Sequence, residues 1–199
     1  RGGGIPISIT VIVLLLLFAG LTLQTIGIIT GIITLAVTGF IDDRFEEKFS
    51  PYTRLILNIA AAVALVISGV SISFITNPFG GILYFGFWIS AGLTIFWLVW
   101  MQNIVGWSSG VDGQLPGFVI VAAITMALLG LRFGAYQNQT LVVILALATA
   151  GSYAGFLPFN WYPQKMLPGY GGKSLAGFLL GTLAILSSAK VGAMVLVLG

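Results

Sequence analysis

Apolar residues come in long runs separated by short polar clusters, from one end of the chain to the other. The runs cover approximately 4–22, 24–41, 54–75, 81–101, 115–133, 139–159 and 174–189, and a further one starts near Val191. Their lengths are close to the roughly 17–25 residues with which an α-helix crosses a hydrocarbon core of about 30 Å. The pattern predicts an all-α fold, a polytopic transmembrane bundle with about seven to eight spanning helices in this stretch. No period of about 20–50 residues repeats and no linker separates a second unit, so residues 1–199 read as one membrane domain.

Short connectors put alternate turns of such a bundle on opposite sides of the bilayer. The side that holds Arg1 then also holds loops 42–53, 102–114 and 160–173. Composition agrees with a membrane chain: of 199 residues, 58% are hydrophobic and 7% charged. A soluble domain carries roughly 25% charged residues, so a water-facing surface cannot be built here. With no cysteine and no histidine, disulfides, thiolate nucleophiles, zinc sites and imidazole acid–base chemistry are excluded from this stretch. The opening RGGGIPIS lacks the layout of a signal peptide, and the final VGAMVLVLG stops about halfway through a span. An internal piece of a longer protein is expected.

The charges are unevenly placed. Arg1, Arg44, Lys48, Arg54, Lys165 and Lys173 share one side, against Arg132 and Lys190 on the other. Positive residues accumulate on the cytoplasmic side, which makes Arg1's side cytoplasmic. The acids Asp42, Asp43, Glu46, Glu47 and Asp112, not used in that assignment, fall on the same side. Exclusion of charge from lipid explains why acids sit in loops but not why they share a face.

Three loops carry the chemistry of that face. In the first, Asp42 and Asp43 are adjacent carboxylates at the membrane boundary, followed by Ser50-Pro51 opening a helix that places Arg54 and Asn58 one turn apart. Adjacent carboxylates repel unless a cation or several donors compensate. A hard cation such as Mg²⁺ shared with a phosphate would do this, and a solvated helix end is the plainer alternative. The second loop carries Asn103, Asp112 and four glycines, which suit close approach to a ligand or a simple Asp-Gly turn. The third contains Asn160, Lys165 and the stretch LPGYGGKS, residues 167–174. A nucleotide-hydrolysing phosphate loop needs glycine at position 167, where this chain has Leu167, so that function is rejected. Gly169, Gly171 and Gly172 with Lys173 at a helix start still describe a turn that can hold an anion, or a tight glycine turn beside an interfacial lysine.

Taken together and in order, these stretches resemble the polyprenyl-phosphate N-acetylhexosamine-1-phosphate transferases. The likeness runs from Arg1-Gly2-Gly3-Gly4 through Asp42-Asp43, Ser50-Pro51 and Arg54…Asn58, to Gly155-Phe156-Leu157, Asn160, Pro163, Lys165, Gly169, Gly172 and Gly177. It implies transfer of a phospho-N-acetylhexosamine from a UDP-sugar to a polyprenyl phosphate at the cytoplasmic face of the plasma membrane, with Mg²⁺ (or Mn²⁺) as cofactor. Asp42, Asp43 and Asp112 would be catalytic and metal-binding. Arg54, Lys165 and Lys173 would hold phosphates, with Asn58, Asn103, Asn160, Gly171 and Gly172 completing the substrate site. The partners implied are the two substrates and the lipid bilayer, with a homo-oligomer left open and no nucleic acid.

The chain departs from the family pattern at two acids. Ser109 stands where the second motif has its first Asp, and Gly106 where it has its second Asn. Tyr170 stands where the third motif has a magnesium-binding Asp, and a neutral phenol does not replace a carboxylate on Mg²⁺. Two readings follow: a reorganised active enzyme in which Lys173 takes over part of the phosphate neutralisation, or a relative that only binds lipid phosphate. A transporter or flippase, the rival from another class, usually carries ionisable groups at the membrane midplane, and these runs contain no acid in their interiors. Tryptophans 88, 97, 100, 107 and 161 read as an interfacial belt more readily than as stacking platforms. The glycines at 20, 27, 31 and 39 read as helix-packing positions.

Overall fold

A computed structural model describes residues 2–45, 50–76, 82–132 and 139–187. Arg1, Glu46, Glu47, Lys48, Lys190 and the run from Val191 lie outside the described residues. The chain opens with α1 (Gly4–Phe18) and α2 (Leu23–Arg44). Thr22 starts α2 by accepting the Thr25 N–H on its hydroxyl at 3.1 Å, which satisfies one of the free amides of a first turn. Ser50 does the same for α3 (Pro51–Ile67), accepting from the Thr53 N–H at 3.3 Å. Pro51 fits the first helical position because that position has no helical partner for an N–H.

The run 54–75 does not form one helix. Gly69 adopts φ +85, its N–H closes on the Val66 carbonyl at 3.0 Å, and the Val70 N–H closes on Leu65 at 3.3 Å. This double closure of the last carbonyls ends α3 at Ile67. Beyond it, β1 (Phe74–Thr76) pairs antiparallel with β2 (Ile82–Tyr84), Ile75 opposite Leu83. The helix expected from residue 81 therefore begins later, as α4 (Phe87–Trp107) followed by a 3₁₀ turn, Ser108–Gly110. Next come α5 (Gln114–Arg132), α6 (Gln139–Asn160) and α7 (Gly169–Leu186).

Among the described residues, four stretches are long and apolar enough to cross a membrane: α2, α4 with its 3₁₀ turn, α5 and α6. The shorter helices α1 and α3 are also apolar. The fold is that of a helical membrane protein, with fewer full-length spans in the described residues than the seven to eight that the runs predict. Leu17, Phe18, Val37, Phe96, Val121 and Leu128 point outward, as side chains facing lipid must. Trp88 and Trp107 are exposed at the two ends of α4, whereas Trp97 is half-buried and donates its indole N–H to the Gly181 carbonyl at 3.2 Å.

At the centre lies α7, in which every residue from Ser174 to Ile185 is buried. It touches α1, α2, α4, α5 and α6. Glycines set how closely these helices approach. A Cβ on Gly39 of α2 would run into the Gly171 backbone, and one on Gly4 of α1 into Gly171 and Gly172. One on Gly177 would meet the backbone of Met101 and Gln102 on α4. In lipid, where apolar side chains gain little by leaving their solvent, such close backbone contact is a main source of helix association.

Candidate active site

The first turn of α7 is where the other helices converge. It contains the stretch from Gly169 to Lys173, which the sequence reading placed in a loop. Gly169 has φ +70 and lies so close to the Asp43 carboxylate that a side chain there would collide with it. The next residue donates its backbone N–H to Asp43 Oδ1 at 3.2 Å. This helix start thus holds an anion, and in this structure the anion is the chain's own Asp43. A helix N-terminus favours negative charge through its unpaired amides and its dipole. The Gly172 amide is not bare either, since it donates to the Pro168 carbonyl at 3.2 Å. Gly171 and Gly172 face the neighbouring backbones of α1 and α2, and the Gly172 carbonyl accepts from the Tyr153 hydroxyl of α6 at 2.7 Å.

Asp42, also in the last turn of α2, points the other way. It is 7% exposed, and its Oδ1 accepts from Arg54 Nε and Nη2, both at 2.9 Å. Arg54 stands on the first turns of α3 with its guanidinium 5.2 Å above the ring of Tyr170. One turn further along the same face, Asn58 is buried and accepts from the Tyr170 hydroxyl at 2.9 Å. Burial raises the Tyr170 phenol above its ordinary range, so at neutral pH it remains a protonated donor. Gln102 of α4, also buried, lies with its amide nitrogen 3.4 Å from the Asn58 carbonyl.

A second cluster joins the other two loops. Asn160, buried at the end of α6, accepts the Gly113 N–H on its side-chain oxygen at 3.2 Å. Its amide nitrogen donates to the Met166 carbonyl at 3.0 Å. Asp112, half-buried, accepts the Gln164 N–H at 3.2 Å. The two clusters meet through the start of α1, where the Gly3 N–H donates to the Leu167 carbonyl at 3.3 Å. Lys173 is half-buried, with its Cβ facing Gly106 at the end of α4. Lys165 is exposed, and Asn103 is exposed with its amide on its own helix, 2.7 Å from the Val99 carbonyl. All three loops therefore lie at one end of the bundle. Asn58, Asn160 and Gly172 are occupied with internal hydrogen bonds there, and Asn103 makes its bond within α4.

A cavity of about 290 Å³ opens between α1, α2 and α7. Ile5, Ala36, Phe40 and several glycines line it, with Asp43 and Arg44 supplying its charge. Among the described residues no group of three His, Cys, Asp or Glu converges as a metal site. Asp42 is turned onto a guanidinium, and the position at which the family resemblance puts an acid holds Tyr170. The donor set does not fit a magnesium cage built from Asp42, Asp43 and Asp112.

Sequence reasoning noticed Tyr170 only as a missing acid, whereas the structure places it at the centre of the site. The available signal was a bulky aromatic flanked by glycines at a helix start, which local pattern alone does not connect to Arg54. Gln102 and Gln164 were also passed over, the first although it is a polar residue at the end of an apolar run.

The chain is 27% identical over 192 residues to a "Probable undecaprenyl-phosphate N-acetylglucosaminyl 1-phosphate transferase" of Bacillus subtilis (strain 168), covering 96% of this chain and 52% of that protein. It is 30% identical over 189 residues to a phospho-N-acetylmuramoyl-pentapeptide-transferase of Desulforudis audaxviator (strain MP104C), covering 83% and 55%. A protein of the same description from Streptococcus uberis (strain ATCC BAA-854 / 0140J) is 27% identical over 177 residues, covering 81% and 50%. The chain spans about half the length of these curated relatives. The model of glycosyl transferase family 4 matches residues 25–188, a stretch that holds both carboxylates of α2, both loop clusters and the whole of α7, and the chain belongs to that family.

Proposed function

We propose that this chain forms part of a membrane enzyme that transfers a phospho-N-acetylhexosamine from a UDP-sugar to a polyprenyl phosphate on the cytoplasmic face. A phosphate oxygen of the lipid attacks the sugar-bearing phosphorus of the nucleotide sugar. A new P–O bond forms, the phosphoanhydride bond breaks, and uridine monophosphate leaves. A polyprenyl-diphosphate-linked sugar remains in the membrane for envelope glycan synthesis.

The observation that carries this reading is Asp43. It lines a cavity that is otherwise mostly apolar or glycine, at the end of the bundle where the loops meet. A lipid with an isoprenoid tail and a phosphate head needs such a place, apolar below and charged at the mouth. In this reading Asp43 accepts the proton of the lipid phosphate, and the Tyr170 amide holds the carboxylate in place for it. Arg54 and Lys173 balance phosphate charge, with Lys165 at the exposed rim. Asp112 lies on the neighbouring loop, where its charge steers the nucleotide sugar's orientation. These assignments rest on general acid–base and electrostatic catalysis by placed side chains.

Membranes containing the full-length protein, supplied with radiolabelled UDP-N-acetylglucosamine and undecaprenyl phosphate, test the proposal. Asp43→Asn is expected to lower formation of the lipid-linked product about 100-fold or more, the usual scale for losing a placed proton acceptor. Equal rates in the variant and the parent would remove Asp43 from the mechanism. A parent that retains the lipid phosphate but forms no product would favour the binding-only alternative, to which the phenol at position 170 also points.

A further inference from the structure

Tyr170 makes contacts that a packing residue does not need. Its backbone N–H is on Asp43 of α2, its hydroxyl is on Asn58 of α3, and its ring lies beneath Arg54. Two hydrogen bonds to two different helices thus fix the plane on which the guanidinium rests. On its other side, Arg54 is held through Nε and Nη2 by a single oxygen of the buried Asp42. A guanidinium has five N–H donors, so this grip uses two. The side chain remains 36% exposed.

We propose that Tyr170 is a positioning residue: with Asp42 it clamps Arg54 as a built-in cation whose uncommitted N–H groups receive a substrate phosphate. This inference rests on the transferase reading above and names the group that would neutralise phosphate charge where the carboxylates do not assemble a metal cage. An arginine free to rotate must be ordered each time it binds an anion, and each ordered long side chain subtracts from affinity. Held between a carboxylate and an aromatic face, Arg54 needs no further ordering. The planar fork also suits phosphate, which accepts two parallel N–H bonds from it. Ring and hydroxyl have separate duties. The ring supports the cation, and the hydroxyl keeps the ring in register with α3. The ligand chemistry is a phosphate monoester or diphosphate, from the lipid head or from the nucleotide sugar.

The test measures binding of undecaprenyl phosphate and of UDP-N-acetylglucosamine, separately, to full-length protein in lipid nanodiscs. Parent, Tyr170→Phe, Tyr170→Leu and Arg54→Lys are compared, each with its thermal unfolding recorded. Tyr170→Phe keeps the ring and loses the hydroxyl, and is expected to weaken at least one ligand about fivefold to tenfold, the scale of a buried acceptor left without its donor. Arg54→Lys keeps the charge and loses the fork, and should weaken the same ligand at least as much. Loss confined to undecaprenyl phosphate assigns Arg54 to the lipid head, and loss confined to the UDP-sugar assigns it to the nucleotide. In turnover the same defect raises KM for that substrate with little change in kcat, whereas a loss of folded protein lowers kcat alone. Tyr170→Phe with both affinities unchanged overturns the proposal, whatever becomes of Tyr170→Leu, and so does a parent that binds neither ligand. A parent that binds but forms no product sinks the transferase reading and leaves the affinities to decide the role of Tyr170.

Discussion

The two clusters at the loop end of the bundle solve the same problem with different chemistry. Where α2, α3 and α7 meet, the joint is ionic and aromatic: Asp42 on Arg54, Arg54 over Tyr170, Tyr170 on Asn58. Where the α5 and α6 ends meet, the joint is a neutral amide, Asn160, between Gly113 and Met166. A buried carboxylate is tolerated only with a partner that recovers its lost hydration, so the first joint cannot lose one member without harming the others. An amide carries no net charge into the protein, and each of its bonds can be lost more cheaply. The ionic joint is therefore the more brittle of the two. The chain neighbours of two of its members, Asp43 beside Asp42 and Gly171 beside Tyr170, line the cavity.

The largest test of that contrast is Arg54→Ala, which leaves Asp42 buried without its cation. A loss of about 2–3 kcal/mol is expected, below the full cost of breaking a buried pair because Arg54 is partly solvated. Thermal unfolding in nanodiscs checks it, and adding Asp42→Asn should recover part of the loss by removing the stranded charge. Gly39→Ala comes next, because its methyl would press on the Gly171 backbone and push α7 away from α2. Overpacking of this kind costs about 1–3 kcal/mol, and the Asp43 contact with the first turn of α7 should loosen with it, seen as faster amide exchange there. Asn160→Ala is expected to be mildest, about 1 kcal/mol for the partners left unpaired, read from the same unfolding curves. An Asn160 variant more damaging than Arg54→Ala would reverse the comparison and make the neutral clamp the principal joint.

Part of the candidate site was legible in the sequence as residue types and the end of the bundle that their loops share. The parity of the apolar runs gathers Asp42, Asp43, Arg54, Asp112, Asn160 and Lys173 at one end, and the structure connects the three loops that carry them. What the pattern missed lies at distances that local sequence does not encode. LPGYGGKS reads as a turn with bare amides, yet it forms the first turn of α7 with Asp43 already on it. The run 54–75 reads as one span because hydropathy averages over its end. Gly69 breaks the helix there through its backbone conformation, which a hydropathy average does not register.

The sequence by itself determined that this is a membrane-embedded helical chain with its acids between the apolar runs or at their ends, because exclusion of charge from hydrocarbon acts on every residue independently of the fold. Only the tertiary structure decided which acid meets the cation, which one lies at the cavity, and that Tyr170 stands between them. Those outcomes depend on how closely α2 and α7 approach and how each helix is rotated. Both are set by contacts such as Gly39 against Gly171, between residues far apart in the chain.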